Sequence, residues 1–243
     1  MSDGVTGSAP VRLLLLGQGR MGSAIEQLAP ARGFVVAGVL TVETNEKGAG
    51  LTADVLNAAD VVVDFTQPDA VLENIRRVAG AGKPMVVGTT GWYGNLEDAR
   101  AIVEEHGTGL VYGANFSLGV QLFYRLAREA AKLFSRWPQY EPFIVETHHQ
   151  FKRDAPSGTA LELARQIEPD LAGRMPVIQS VRAGYIPGTH ELGFDAEGET
   201  LIVRHAARSR QAFAEGALVA AKWVRGKKGF RHFSEILDLE ART

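Results

Sequence analysis

The chain has 243 residues, room for a main domain with a smaller partner, and its 45% hydrophobic and 22% charged content is that of an ordinary globular protein. A formal net charge of −2 excludes a broadly basic nucleic-acid binder, and the absence of cysteine excludes disulfides, a thiolate nucleophile and cysteine-ligated zinc. No apolar run approaches the ~20 residues needed to cross a bilayer, so the chain reads as soluble, without a membrane partner, and cytoplasmic.

Residues 1–10 are small, polar and rich in glycine and serine, and read as a loose N-terminal tail. Val11 to Leu16 is a continuous apolar run, the pattern of a parallel strand buried on both faces. The pattern predicts a helix over Ser23 to Ala31, strands over Phe34 to Leu40 and Asp60 to Phe65, and a helix over Asp69 to Ala79. Pro84 to Val87 reads as a fourth strand, Asn95 to Glu105 as helix and Gly109 to Tyr112 as a fifth strand. Such alternation predicts βαβ units and a Rossmann-type, doubly wound parallel sheet over residues 11–115.

The pattern then changes. Leu118 to Trp137 predicts a long amphipathic helix whose apolar stripe is Val120, Phe123, Leu126, Ala127, Ala130, Ala131 and Phe134. Strands are expected at Phe143 to His149, Val177 to Ala183, His190 to Phe194 and Thr200 to His205, interrupted by one helix over Thr159 to Ile167. Residues 116–210 are therefore expected to form a smaller α+β domain on a mostly antiparallel or mixed sheet with one open face. Phe213 to Val224 is helical again and returns to the first domain, so residues 211–243 are grouped with residues 11–115.

Gly17-Gln18-Gly19-Arg20-Met21-Gly22 matches G-x-G-x-x-G directly after a buried-type strand and before a helix. Gly17 permits the tight turn, Gly19 lets backbone approach a pyrophosphate, and the helix N-terminus and Arg20 offer positive charge. A ligand-free turn would leave Arg20 and three glycines unexplained. Three strand ends then form a candidate nicotinamide rim: Asp64-Phe65-Thr66, Gly88-Thr89-Thr90-Gly91 and Gly113-Ala114-Asn115-Phe116. Ordinary turn chemistry is the alternative for any one of them. Thr41 stands where an acidic ribose partner is usual, with Glu43 two residues later and the nearest cation at Lys47. The sequence leaves NADH and NADPH both open.

The densest chemistry lies in Glu146 to Ala160, which reads E-T-H-H-Q-F-K-R-D-A-P-S-G-T-A. Alternation on a strand puts His148 on the face of Glu146 and His149 on the other, so one histidine can donate a proton while the other contacts a ligand. Lys152 offers charge to a carboxylate. Ser157 suits an N-cap, with the Gly158 and Thr159 amides oriented for an anion. Adjacent histidines diverge and no H-E-x-x-H motif accompanies them, so no metal is expected.

This segment resembles the signature of the dihydrodipicolinate reductases, E-x-H-H-x-x-K-x-D-A-P-S-G-T-A. Gly19-Arg20-Met21-Gly22, Asp64-Phe65-Thr66, Gly88 to Gly91 and Asn115-Phe116-Ser117 resemble further family motifs in the same order, over roughly residues 11–240. The resemblance implies NADH- or NADPH-dependent reduction of a cyclic imine dicarboxylate in diaminopimelate and lysine biosynthesis, by a homotetramer joined through its second domain's sheets. It implies His148 as the acid and Lys152 as its catalytic partner. His149, Ser157, Gly158, Thr159 and Arg210 would hold substrate. Gly17, Gln18, Gly19, Arg20 and Met21, with Thr66, Gly88, Thr89, Thr90, Gly113, Ala114, Asn115 and Phe116, would line the cofactor. Two departures bear on cofactor choice: a glycine loop one residue shorter than the family's G-x-x-G-R-M-G, and Thr41 where the family often has an acid. The alternatives are an aspartate- or homoserine-type dehydrogenase, and a catalytically silent NAD(P)-binding sensor.

Overall fold

The structure, a computed structural model, describes residues 9–171 and 173–240, so the expected tail lies outside the described residues except for its last two. The chain divides into two compact units, one running to Phe116 and resuming at Phe213, the other covering Ser117–Ala212. The elements begin with β1 (Val11–Leu16), α1 (Arg20–Leu28), β2 (Phe34–Leu40), α2 (Ala53–Asn57), β3 (Val61–Asp64) and α3 (Val71–Gly80). Then come β4 (Met85–Val87), α4 (Leu96–Glu105), β5 (Gly109–Tyr112), α5 (Leu118–Phe134), β6 (Glu141–His148) and α6 (Gly158–Ile167). The chain ends with β7 (Val177–Arg182), β8 (Thr189–Ala196), β9 (Glu199–Ala206), α7 (Gln211–Val224), β10 (Gly229–His232) and α8 (Phe233–Glu240).

The first unit is built on a parallel sheet of order β10-β5-β4-β3-β1-β2. Its inner strands β1 and β3 are apolar runs because both faces are covered: Leu13–Leu16 and Val61–Val63 are almost wholly buried. One core face gathers Leu14, Leu16, Val62, Ile75, Met85, Trp92 and Phe230. Strand order reverses between β1 and β3, so their carboxyl ends flank the crevice where open α/β sheets bind ligands. Three details differ from the sequence reading. Helix α1 starts at Arg20, because extended Gly19 serves as its N-cap, and ends at Leu28, because Pro30 opens a separate 3-10 turn. Short α2, capped by Thr52, and β10, which pairs with β5, give too little periodic pattern to be read locally.

The second unit carries a mixed sheet of order β7-β6-β8-β9, with β6 and β7 parallel and the other pairs antiparallel. Helices α5 and α6 cover one face through Val120, Phe123, Tyr124, Ala127, Leu163 and Ile167, packed on Ile144, Leu192 and Phe194. Helix α5 ends at Phe134 rather than Trp137. Leu126 is 56% exposed and does not belong to the apolar stripe. It lies with exposed Leu122 and Leu133, four before and seven after it, off the covered face. Val177, Val181, Leu201 and Ile202 on β7 and β9 are also exposed.

Candidate active site

Each unit presents one candidate site. In the first, Gly17 closes β1 at a φ of 94°, and a Cβ there would lie 2.5 Å from the Phe65 carbonyl oxygen. Gly22 lies equally tight, since its Cβ would meet the Gly17 oxygen at 2.0 Å. Gly19 has nothing within 4 Å of such a Cβ, and no side chain caps α1, so the helix N-terminus and loop backbone lie open to an anion. These features fit a dinucleotide pyrophosphate. Gln18 and Arg20 are exposed beside them.

At the end of β2 the Thr41 hydroxyl donates to the Glu43 carboxylate at 2.5 Å, which holds that carboxyl below its usual range. An ionised group thus stands three residues beyond the strand. At the ends of β3 and β4 the threonines turn inward. Thr66 donates its N–H and hydroxyl to Asp64 Oδ1 at 2.8 and 2.6 Å, and Thr89 donates its hydroxyl to the same oxygen at 3.2 Å. Asn74 donates to Asp64 Oδ2 at 2.8 Å and accepts from Asn45 at 3.0 Å, tying the loop after β2 into the network. Burial pushes the Asp64 carboxyl up, opposed by these hydrogen bonds. The rim around Thr66 and Thr89 is therefore locked from beneath by a buried acid. Gly88 packs against the Phe65 ring, and the Phe116 ring is core, between Phe65 and Phe233. Thr90 is exposed, while Gly113 packs near Phe116 and Phe233.

In the second unit, alternation along β6 buries Ile144, Glu146 and His148 on one side. Nδ1 of His148 meets Glu146 Oε2. Arg182, opposite His148 in the β6–β7 register, donates to Glu146 Oε1 at 2.6 Å, and the Ser157 N–H reaches the same oxygen at 3.3 Å. Arg182 also donates to the Asp154 carbonyl at 2.6 Å, and Lys152 donates to both Asp154 carboxylate oxygens at 2.8 Å. His190, opposite Glu146 in the β6–β8 register, sets its ring centroid 5.2 Å from that of His148. Gly188, at a φ of 155°, leaves room for His148: a Cβ there would lie 3.0 Å from Nε2.

The charges follow from these contacts. Burial alone would raise the Glu146 carboxyl, but hydrogen bonds from Arg182 and His148 hold it down at about 2. Burial lowers the His148 imidazole, with Glu146 opposing that effect. Burial, then the neighbouring His148, lowers His190 to about 4. Glu146, His148 and His190 place ligand-capable atoms within 4.8 Å of one another. Both Glu146 oxygens already serve His148, Arg182 and Ser157, so the cluster is arranged to handle protons.

The structure gathers His148, Lys152 and the Ser157–Thr159 turn around the Glu146–Arg182 pair. The Ser157 hydroxyl caps α6, accepting from the Ala160 N–H at 3.2 Å, and lies 3.2 Å from His190 Nε2. That leaves the exposed Gly158 backbone and that of Thr159 at the helix opening. The His149 ring lies 6.1 Å from that of Phe151, and its buried Nδ1 has no partner among the described residues. Arg210 sits in an exposed turn just before α7. No hydrogen bond or ion pair joins it to the cluster among the described residues. No role for Arg182 or His190 follows from the sequence alone. Arg182 and His190 come to the site only through strand register, which leaves no local signal, whereas Glu146 shares the alternation that marks His148.

Comparison with known proteins gives consistent findings. The family model for the dihydrodipicolinate reductase N-terminus matches residues 11–116, and that for the C-terminus matches residues 119–237. The 4-hydroxy-tetrahydrodipicolinate reductase of Christiangramia forsetii is 33% identical, over 94% of this chain and 98% of its own. That of Pseudomonas fluorescens is 34% identical, over 94% and 99%. A dipicolinate-bound dihydrodipicolinate reductase from Paenisporosarcina sp. TG-14 shares the fold, with a TM-score of 0.73 at 23% identity, covering 93% of this chain and 99% of its own.

Proposed function

This chain belongs to the dihydrodipicolinate reductase family, and from that membership we propose that it reduces 4-hydroxy-tetrahydrodipicolinate, or its dehydrated imine, to tetrahydrodipicolinate in diaminopimelate and lysine biosynthesis. The dehydrogenase and silent-sensor alternatives give way to that membership. The reaction adds one hydride and one proton; water leaves when the hydroxylated ring is the species bound. A reduced nicotinamide supplies the hydride.

On this reading the Gly17–Met21 backbone and the α1 N-terminus hold the pyrophosphate, and the backbone at Thr66, Gly88–Thr90 and Gly113–Phe116 lines the nicotinamide end. The second unit holds the doubly negative ring. His148 delivers the proton. Lys152, the Gly158 and Thr159 amides, His149 and Arg210 engage the two carboxylates. Lys152 exchanges Asp154, 58% exposed at its side chain, for a substrate carboxylate, an exchange that is cheap for an exposed pair. The observation that carries the reading is one cluster in which an imidazole, an ammonium and a helix N-terminus surround a buried ion pair.

The Glu43 carboxylate favours NADH, whose ribose hydroxyls it can accept from, over NADPH, whose extra phosphate it repels. Exposed Val177, Val181 and Ile202, on the face of this sheet away from α5 and α6, support a homotetramer formed through it, and the pathway supports a cytoplasmic location.

Calorimetric titration with dipicolinate tests the substrate site. Lys152→Ala should weaken dipicolinate about 10- to 100-fold, the worth of one charge-assisted hydrogen bond, and leave NADH affinity unchanged. Equal dipicolinate affinity in the two proteins would remove Lys152 from the site.

A further inference from the structure

We infer that Glu146, clamped by Arg182, is the positioning residue of this site: it fixes the His148 ring with Nδ1–H turned inward and Nε2 as the atom that delivers the proton. The inference rests on the reading of His148 as the acid. An ionised carboxylate only accepts hydrogen bonds, so the Nδ1 facing Glu146 must be the donor. The other ring nitrogen is then the one left for chemistry, and Gly188 is the residue beside it.

The clamp reaches further than the ring. Arg182 holds Glu146 Oε1 and the Asp154 carbonyl with one nitrogen, and the Val181 carbonyl with the other. Glu146 in turn accepts from the Ser157 N–H. One buried pair thus sets both the imidazole and the 152–157 turn that carries Lys152 and opens α6. An ion pair with its carboxylate wholly buried and its guanidinium only 18% exposed returns little stability for its desolvation, which suits a role in orienting chemistry.

The charged and titratable groups facing His148 are Glu146 on its own strand, Arg182 from β7, His190 from β8 and Lys152 from the following loop. Of these only Glu146 is negative. Burial and the two cations oppose a second proton on the ring, and Glu146 sustains it. Removing that negative charge should make the imidazolium give up its proton at lower pH. Turnover by a general acid falls as pH rises through its pKa, so the alkaline limb of the kcat profile should move down.

The test is the pH profile of kcat for wild type, Glu146→Gln and His148→Gln, with 15N spectra of the histidine rings in the full-length wild type. Glu146→Gln should lose about 10- to 100-fold in kcat. Its alkaline limb should fall by about one pH unit, and its NADH affinity should stay unchanged. The neutral His148 ring of the wild type should carry its proton on Nδ1. An unmoved limb in a folded Glu146→Gln protein, or a wild-type ring protonated on Nε2, overturns the positioning role and leaves the acid assignment standing. Wild-type turnover in His148→Gln sinks both.

Discussion

At the scale of single residues, His148 is the proposed acid and its surroundings set its charge. Burial lowers its affinity for a proton in the free protein, so at neutral pH the ring is mostly uncharged. A dianion beside it favours the imidazolium and raises that affinity. Binding of dipicolinate near neutral pH should therefore take up part of a proton. Calorimetry in two buffers of different ionisation enthalpy checks this: the apparent binding enthalpy should depend on buffer in the wild type and not in His148→Gln. A buffer-independent enthalpy in the wild type would show that the ring does not change charge. Much of this site is legible in the chain itself. His148, Lys152 and Ser157 lie within ten residues, and β alternation alone puts Glu146 beside His148. Arg182 and His190 are not legible, because each arrives by strand pairing across 34 and 42 residues from His148, counted from their numbers.

At the scale of elements, turns and caps carry the sites. Gly17→Ala should be destabilising, because φ is 94° and the new Cβ would press on the Phe65 oxygen, and the distortion should also weaken NADH. A thermal melt and a fluorescence titration with NADH read the two effects. An unchanged melt and affinity would contradict the packing described for this loop. Ser157→Ala removes the α6 cap and should cost about 1 kcal/mol of stability, measurable by urea unfolding. The parallel strands were easy to read because burial on both faces leaves continuous apolar runs. The α1 start was misplaced by three residues, since Arg20 and Gly22 look like loop by propensity, while the extended Gly19 begins the helix there. β10 is short and holds its place by pairing with β5, a long-range cause that no local pattern records.

At the scale of the whole molecule, each unit carries one candidate site, and cofactor choice is where structure adds most to sequence. Thr41 alone left NADH and NADPH open, whereas the Thr41–Glu43 hydrogen bond puts a negative charge at the end of β2. kcat/KM should be higher with NADH than with NADPH, and Glu43→Gln should narrow the ratio. A preference for NADPH in the wild type would contradict that reading. The most direct measurement of the whole account is oxidation of the reduced cofactor by the full-length chain with freshly generated 4-hydroxy-tetrahydrodipicolinate, run beside His148→Gln. The account predicts rapid, substrate-dependent oxidation in the wild type and a loss of about 100-fold or more in the variant, with NADH binding retained. No substrate-dependent oxidation in the wild type, or equal rates in the two proteins, would contradict it.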